Sequence, residues 1–233
     1  MFGIDILAVL KIVMIDIMLG GDNAIIIALA CAALPVHLRF RALIFGTIGA
    51  IAARAILLSV GNVIISLPFV HIIAGALLLW IGYKLVADNG DEKEPNQSTN
   101  IWGAVWTIIV ADMVMSIDNV IAVTAASLST GTHALWYAIF GIVLSIPIIV
   151  GGSKLVSALM DKFPIIIWCG GGLLGWIGAE MIISDNSLHT YIEAVHNYVG
   201  DYTDLSYKAV GFIAVIFAVL AARHFGKKEE VTV

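Results

Sequence analysis

Long apolar stretches alternate along the chain with short polar breaks. Seven of them approach or exceed the roughly 20 residues needed to cross a bilayer as helix: about 6–33, 40–60, 67–87, 101–126, 133–152, 164–183 and 207–224. Pro68 and Pro164 fall at predicted helix starts, where a missing N–H costs little. The run from Asp88 to Asn100 is polar and divides the chain into two halves, and the segment 184–206 is too polar to span. That segment carries Tyr191, Tyr198 and Tyr202, aromatics of the kind that settle at membrane interfaces. The expected fold is an all-α polytopic membrane protein with seven transmembrane helices.

Composition strengthens this reading. Of 233 residues, 61% are hydrophobic and 12% charged, whereas a soluble domain is roughly half apolar and a quarter charged. The net charge of -5 is modest, and its distribution is more informative. Arg39 and Arg41 follow span one, Lys84 and Lys93 surround the end of span three, Lys154 and Lys162 follow span five, and Arg223, Lys227 and Lys228 follow span seven. The alternate connections, near Gly61, near Gly131 and over 184–206, contain no Lys or Arg. The positive-inside rule then predicts a multi-pass protein of the cell membrane with its N-terminus outside and its C-terminus in the cytoplasm. Lys208, at the outer start of span seven, is the exception.

The two halves repeat. Asp16-x5-Asp22-Asn23 recurs as Asp112-x5-Asp118-Asn119, an offset of 96 residues (112 − 16). Pro68, Gly75, Trp80 and Gly82 recur at the same offset as Pro164, Gly171, Trp176 and Gly178. Each repeat holds three spans, an odd number, so the second copy must enter the membrane from the opposite side. This predicts two inverted three-helix repeats plus a seventh helix, an architecture that places substrate near the bilayer midplane. The expected layout is one membrane domain: repeat one over 5–87, an acidic cytoplasmic linker over 88–100, repeat two over 101–183, an extracytoplasmic segment over 184–206, helix seven over 207–224 and a basic tail over 225–233.

The repeated motif carries the chemistry. Asp16, Asp22, Asp112 and Asp118 lie inside apolar spans, each at a cost of about 2.5–3.5 kcal/mol near a helix centre on insertion scales. A bound cation, a proton or a basic partner must offset that cost. Residues seven apart on a helix share a face to within about 20°, which pairs Asp16 with Asn23 and Asp112 with Asn119. Asp22, six residues from Asp16, would point about 120° away on an unbroken helix. Gly20-Gly21 precedes it, and a glycine pair weakens a helix, so a broken turn is expected there. Ser116-Ile117 holds the equivalent place in the second copy, predicting a milder break. The donors are carboxylates and side-chain amides, hard oxygens that suit Mg²⁺, Ca²⁺ or Mn²⁺ over Zn²⁺ or copper. Asp16, Asp22, Asn23, Asp112, Asp118 and Asn119 are the candidate metal ligands. Met18, Met113 and Met115 lie nearby in sequence and are read as packing residues.

A divalent ion neutralises two of four carboxylates, so protons or a basic group must balance the rest. Arg54, well inside span two, either pairs with a site aspartate or snorkels outward. Lys11 is read as snorkelling, and Lys84 and Glu180 as interfacial. Cys31 and Cys169 are read as inert buried thiols rather than a disulfide or metal pair. His189 and His196, with Glu193 between them, are read as a polar surface helix. No basic patch suggests nucleic acid, no nucleophile–base pair suggests an enzyme, and no prosthetic group is expected.

GGDNAIIIALA in span one and DMVMSIDNVIAV in span four, in a seven-span chain of this length, closely resemble the TerC family of integral membrane proteins, in its YjbE- or YkoY-like branch. The family takes its name from a tellurium-resistance determinant. The resemblance implies manganese efflux, with the paired Asp and Asn residues as the cation site. The leading expectation is therefore a secondary transporter exporting a divalent cation, Mn²⁺ above others, with protons as a candidate coupling ion. Two alternatives stand beside it: a membrane partner that assists metal loading of exported proteins or tellurium and stress resistance without turning over ions, and an amino-acid exporter.

Overall fold

The computed structural model describes residues 6–19, 22–65, 67–89, 100–128, 134–199 and 203–229. Among them every regular element is helical: α1 (Ile6–Leu19), α2 (Asn23–Ala32), α3 (Val36–Ile65), α4 (Val70–Asn89), α5 (Ile101–Leu128), α6 (Ala134–Lys162), α7 (Ile165–Ile183), a 3-10 turn (Asn186–Leu188), α8 (His189–Val199) and α9 (Thr203–Glu229). Among the described residues five helices are long and apolar enough to cross a membrane, within α3, α4, α6, α7 and α9. A sixth span arises if α1 and α2 count as one broken span, bent by 52° between Val9–Met18 and Asn23–Ala32. The glycine pair on which the broken turn was expected lies outside the described residues. In the second copy α5 runs unbroken through Ser116 and Asp118, so the milder break expected there is absent: Ser-Ile, unlike a glycine pair, sustains a helix. The polar segment after α7 folds as the 3-10 turn and α8.

The helices overrun the apolar stretches. Lys154 and Lys162 stand on α6 rather than in a loop after it, and Arg39 and Arg41 stand on the first turns of α3. Hydropathy marks only the part of a helix that must avoid water, while hydrogen bonding carries the backbone through the interface. Pro147, inside α6, does not end that helix. Outward faces are strongly apolar: Phe45, Ile56, Trp102, Trp106 and Phe217 are all exposed. In a bilayer these positions meet lipid.

The chain forms two compact units that cut across the sequence repeats: residues 1–66 with 96–162, and residues 67–95 with 163–233. In the first unit α3 packs along α5, and α6 packs along α1 and α2. Small residues allow the approach, since a Cβ on Gly46 would fall 3.0 Å from the Ile108 Cβ and one on Gly49 2.7 Å from Ile109 Cγ1. Ile12 and Ile142 are buried together. Positions 46 and 142, and 12 and 108, are each 96 apart (142 − 46, 108 − 12), so repeat-related residues exchange partners. Arg39, on α3, donates from Nε to the Leu34 carbonyl and from Nη2 to the Ala32 carbonyl, closing the end of α2. Its Nη1 donates to both carboxylate oxygens of Asp161 on α6, at 2.9 and 2.8 Å.

In the second unit α4 and α7 meet through glycines. A Cβ on Gly178 would lie 2.7 Å from the Gly75 carbonyl oxygen, and one on Gly82 would lie 2.9 Å from that of Gly171. The pairing runs antiparallel, and again residues 96 apart (171 − 75, 178 − 82) swap partners. Gly175 and Gly211 bring α7 against α9 in the same way. Small residues replace hydrophobic burial as the basis of helix association in lipid, because backbones can then approach closely. Charged contacts hold both ends of that helix pair. Glu180 takes Lys208 Nζ at 2.7 Å, and Arg223 lies 4.9 Å from the Trp168 ring centre. The Glu180 contact explains why Lys208 departs from the loop-charge pattern. Cys169, expected to be buried, is exposed on α7, while Cys31 is buried and both thiols are free. An apolar stretch alone does not tell a lipid-facing position from a protein-facing one.

One acidic residue that the sequence reading passed over organises this unit. Phe69 has φ 65, a left-handed conformation that is unusual for a bulky side chain. Asp185 accepts the N–H of Ser187 at 2.9 Å and that of Ile72 at 3.4 Å. It thereby caps the 3-10 turn and ties it to the first turn of α4. Burial alone would raise the Asp185 pKa. The hydrogen bonds from Ser187, Ile72 and Phe69 outweigh that effect and hold it below the ordinary value. A depressed carboxyl stabilises the fold above its unfolded pKa of about 3.9, and that contribution fades as pH falls through the lower folded value. Asp185→Ala is expected to cost about 1 kcal/mol at pH 7, the usual worth of a cap. Thermal unfolding in detergent at neutral and at strongly acid pH should show the gap between variant and parent narrowing in acid.

Candidate functional site

The acidic motif residues with described side chains fall in the first unit. α1 supplies Asp16, α5 supplies Asp112 and Ser116, α3 supplies Arg54, α6 supplies Ser145, and the junction into α2 supplies Asp22 and Asn23. Asp16 is 1% exposed, Arg54 4% and Asp112 8%. Burial of this depth requires partners, and the guanidinium provides them.

All three Arg54 nitrogens are engaged. Nη1 donates to Asp16 Oδ1 at 2.6 Å, Nη2 to Asp112 Oδ1 at 2.7 Å and Nε to Ser116 Oγ at 2.8 Å. The second oxygen of each aspartate is also taken, Asp16 Oδ2 by the Ser145 hydroxyl and Asp112 Oδ2 by the Ser116 hydroxyl at 3.4 Å. Ser145 lies one turn beyond Ile142, whose carbonyl its hydroxyl also reaches at 2.8 Å. Of the two readings of Arg54, pairing with site aspartates is therefore the observed one, and snorkelling is not.

Asp16 and Asp112 are the first acidic residues of the two motif copies, and the planar guanidinium fork bridges them with one amino group each. Position 150, the repeat counterpart of Arg54 (54 + 96), is Val150. One arginine thus serves two repeat-related carboxylates.

The remaining motif groups differ. Asp22 is half-buried and makes no side-chain cap on α2. Its Oδ1 is buried without a hydrogen-bond partner, as are both polar atoms of the Asn23 amide and the Thr47 hydroxyl. Buried polar groups without partners are rare and call for an explanation. Asp22 lies close enough to Asp112 and Arg54 to feel both charges. Thr47 stands seven residues before Arg54 on α3, hence on the same helix face. The bend between α1 and α2 removes the expected shared face of Asp16 and Asn23, because that argument held only for one continuous helix. The side chains of Asp118 and Asn119 lie outside the described part of the structure. Among the described residues no group of three or more His, Cys, Asp or Glu side chains is placed to hold a metal together.

Of the neighbouring candidates, Met18 and Met113 face outward and Met115 is buried. Lys11 is exposed, as snorkelling requires, and Lys84 rests 5.2 Å from the Trp80 ring centre. His189 and Glu193 form an exposed i,i+4 contact at 3.5 Å, and the side chain of His196 lies outside the described part. Sequence reasoning missed Ser145 as a polar group of the site. The available signal was weak: Ser145 is the repeat counterpart of Gly49 and Ser116 that of Gly20, places where one copy carries a hydroxyl and the other none.

Comparison with known proteins places the chain. The family model described as integral membrane protein TerC family matches residues 2–230. The chain is 38% identical over 225 residues to the uncharacterized membrane protein YjbE of Bacillus subtilis, covering 97% of this chain and 98% of that one. It is 25% identical over 181 residues to the uncharacterized membrane protein YceF of the same organism, covering 73% and 68%. It is 24% identical over 201 residues to the inner membrane protein YgdQ of Escherichia coli, covering 78% and 83%. No solved structure matches. The family match spans nearly the whole chain and includes both acidic motifs, so the protein belongs to the TerC family of integral membrane proteins.

Proposed function

We propose that this protein is a secondary transporter that exports a divalent metal cation, with Mn²⁺ as the best-fitting substrate. One observation carries the reading: a buried Arg54–Asp16–Asp112 cluster inside apolar helices, beside Asp22 and Asn23, whose buried polar atoms lack partners. Such a concentration of charge persists in a membrane when it serves an ion pathway. The donors are hard oxygens, which favour Mg²⁺, Ca²⁺ and Mn²⁺, and the TerC resemblance selects manganese among them. The exchanged contacts of residues 96 apart support an inverted repeat with its axis between the motif copies. Asp16, Asp22, Asn23 and Asp112, with Asp118 and Asn119, form the cation site in this reading.

The test is manganese content in cells expressing the parent, Asp22→Asn or Asp118→Ala at equal protein levels. The parent should lower cellular manganese and both variants should lose most of that effect. Asp22→Asn is the sharper probe, because its Oδ1 has no partner to lose and its melting temperature should stay near the parent's. If both variants lower manganese like the parent, the site is wrong. The reading as a partner for metal loading gains instead if the purified parent moves no cation across liposomes.

A further inference from the structure

We propose that Arg54 is a tethered counter-cation: its guanidinium and the transported divalent cation alternate on Asp16 and Asp112, so the empty protein resets with Arg54, rather than protons, on its carboxylates. The inference rests on the transport reading above and specifies how its charge is balanced.

Three observations support it. First, the guanidinium lies between the two repeat-related carboxylates, where a bridging cation would lie, at 2.6 Å from one and 2.7 Å from the other. Second, every oxygen of the two carboxylates already has a partner without any metal, one from Arg54 and one from Ser145 or Ser116. A cation that takes the bridging position between them must break the arginine contacts. Third, Arg54 is the one basic residue among the groups facing this cluster in the described structure: α1 presents Asp16, α5 Asp112 and Ser116, α6 Ser145, and the α2 junction Asp22.

An arginine keeps its charge at any pH a protein survives, so it neutralises the pair without taking up or releasing a proton. The Asp22 carboxylate, whose Oδ1 is buried without a partner and which the charge of Arg54 reaches, is the acceptor proposed for the guanidinium when the cation arrives. A competing internal cation lowers apparent substrate affinity by the fraction of time it holds the site. It also gives the unloaded protein a satisfied state from which to return.

The test uses full-length protein, Mn²⁺ as the probe, binding in detergent, and liposomes that report interior metal and protons separately. The parent should carry Mn²⁺ with no stoichiometric counter-flow of protons. Arg54→Gln should bind Mn²⁺ about tenfold more tightly, because its competitor is gone, while net flux falls about tenfold. Arg54→Lys should restore part of the net flux. A purely structural arginine would instead lose binding and flux together, with Lys no better than Gln, and that result overturns the proposal. So does a fixed proton-to-manganese ratio in the parent, which leaves transport itself intact. A parent that neither binds nor moves Mn²⁺, Mg²⁺ or Ca²⁺ overturns the transport reading and this inference with it.

Discussion

Asp112→Ala should destabilise the protein by about 3 kcal/mol, the lower end of the range for breaking a buried pair. The variant strands the guanidinium of Arg54, which is 4% exposed and cannot shed its charge. The cost stays at the lower end because Asp16 and Ser116 remain as partners. Asp16→Ala should behave alike, with the added loss of an acceptor for Ser145. The combination Asp112→Asn with Arg54→Gln removes one charge of each sign and leaves groups able to hydrogen-bond. It should melt closer to the parent than Asp112→Ala does, yet carry no cation. Melting of the purified proteins, followed by size-exclusion recovery after heating, measures the first part, and liposome flux the second. A double variant no more stable than Asp112→Ala would mean that the pair is not what the fold depends on.

The second large effect concerns α7. A Cβ added to Gly178 would sit 2.7 Å from the Gly75 carbonyl oxygen and 3.3 Å from Leu78 and Leu79. A backbone carbonyl on a packed helix has nowhere to move, so Gly178→Ala should cost about 1–3 kcal/mol as overpacking. Gly178→Leu should prevent α4 and α7 from pairing at all. Gly151 on α6 is the control, because a Cβ there meets nothing within 4 Å. Gly151→Ala should be neutral or stabilising by about 0.5–1 kcal/mol, since glycine weakens a helix interior. Expression level and melting temperature in detergent read both. Equal tolerance of Ala at 151 and 178 would show that the close approach of α4 and α7 does not limit stability.

The parts of this molecule legible in its sequence share one physical property: they are exceptions within apolar runs. Gly20-Gly21 marked the break between α1 and α2 because paired glycines stand out in a helical stretch. The intramembrane aspartates and Arg54 stood out because charge in lipid is costly. What could not be read was direction around each helix. In water, polarity separates the outer face from the inner one, whereas in a membrane both are apolar. Ser145 and Cys169 therefore looked like any other residues of their stretches, although one grips Asp16 and the other faces outward. The interleaved units were hidden for a related reason. Contacts such as Gly75 with Gly178 join residues far apart in the chain, and the repeat offset identified equivalent glycines without saying which would touch. Asp185 escaped notice because it sits in a segment already set aside as polar.

The anchoring of α2 by Arg39 has a mechanical consequence. This helix has 10 residues and is about 15 Å long at 1.5 Å per residue. One end begins at Asn23, and the other is gripped by Arg39 through the Ala32 and Leu34 carbonyls and, through Asp161, to α6. The rod is also packed along its length, with eight of its residues buried against α6, α5 and α3, so any movement is shared with those neighbours, and the grip at Arg39 makes it a tilt about that end as pivot rather than a slide. Shifting Asn23 by about 3 Å then takes a tilt of about 11° over that length, and side chains near the pivot hardly move. Loosening the pivot, as Arg39→Ala would, trades that tilt for translation of the whole rod and blurs the position of Asn23 from a distance.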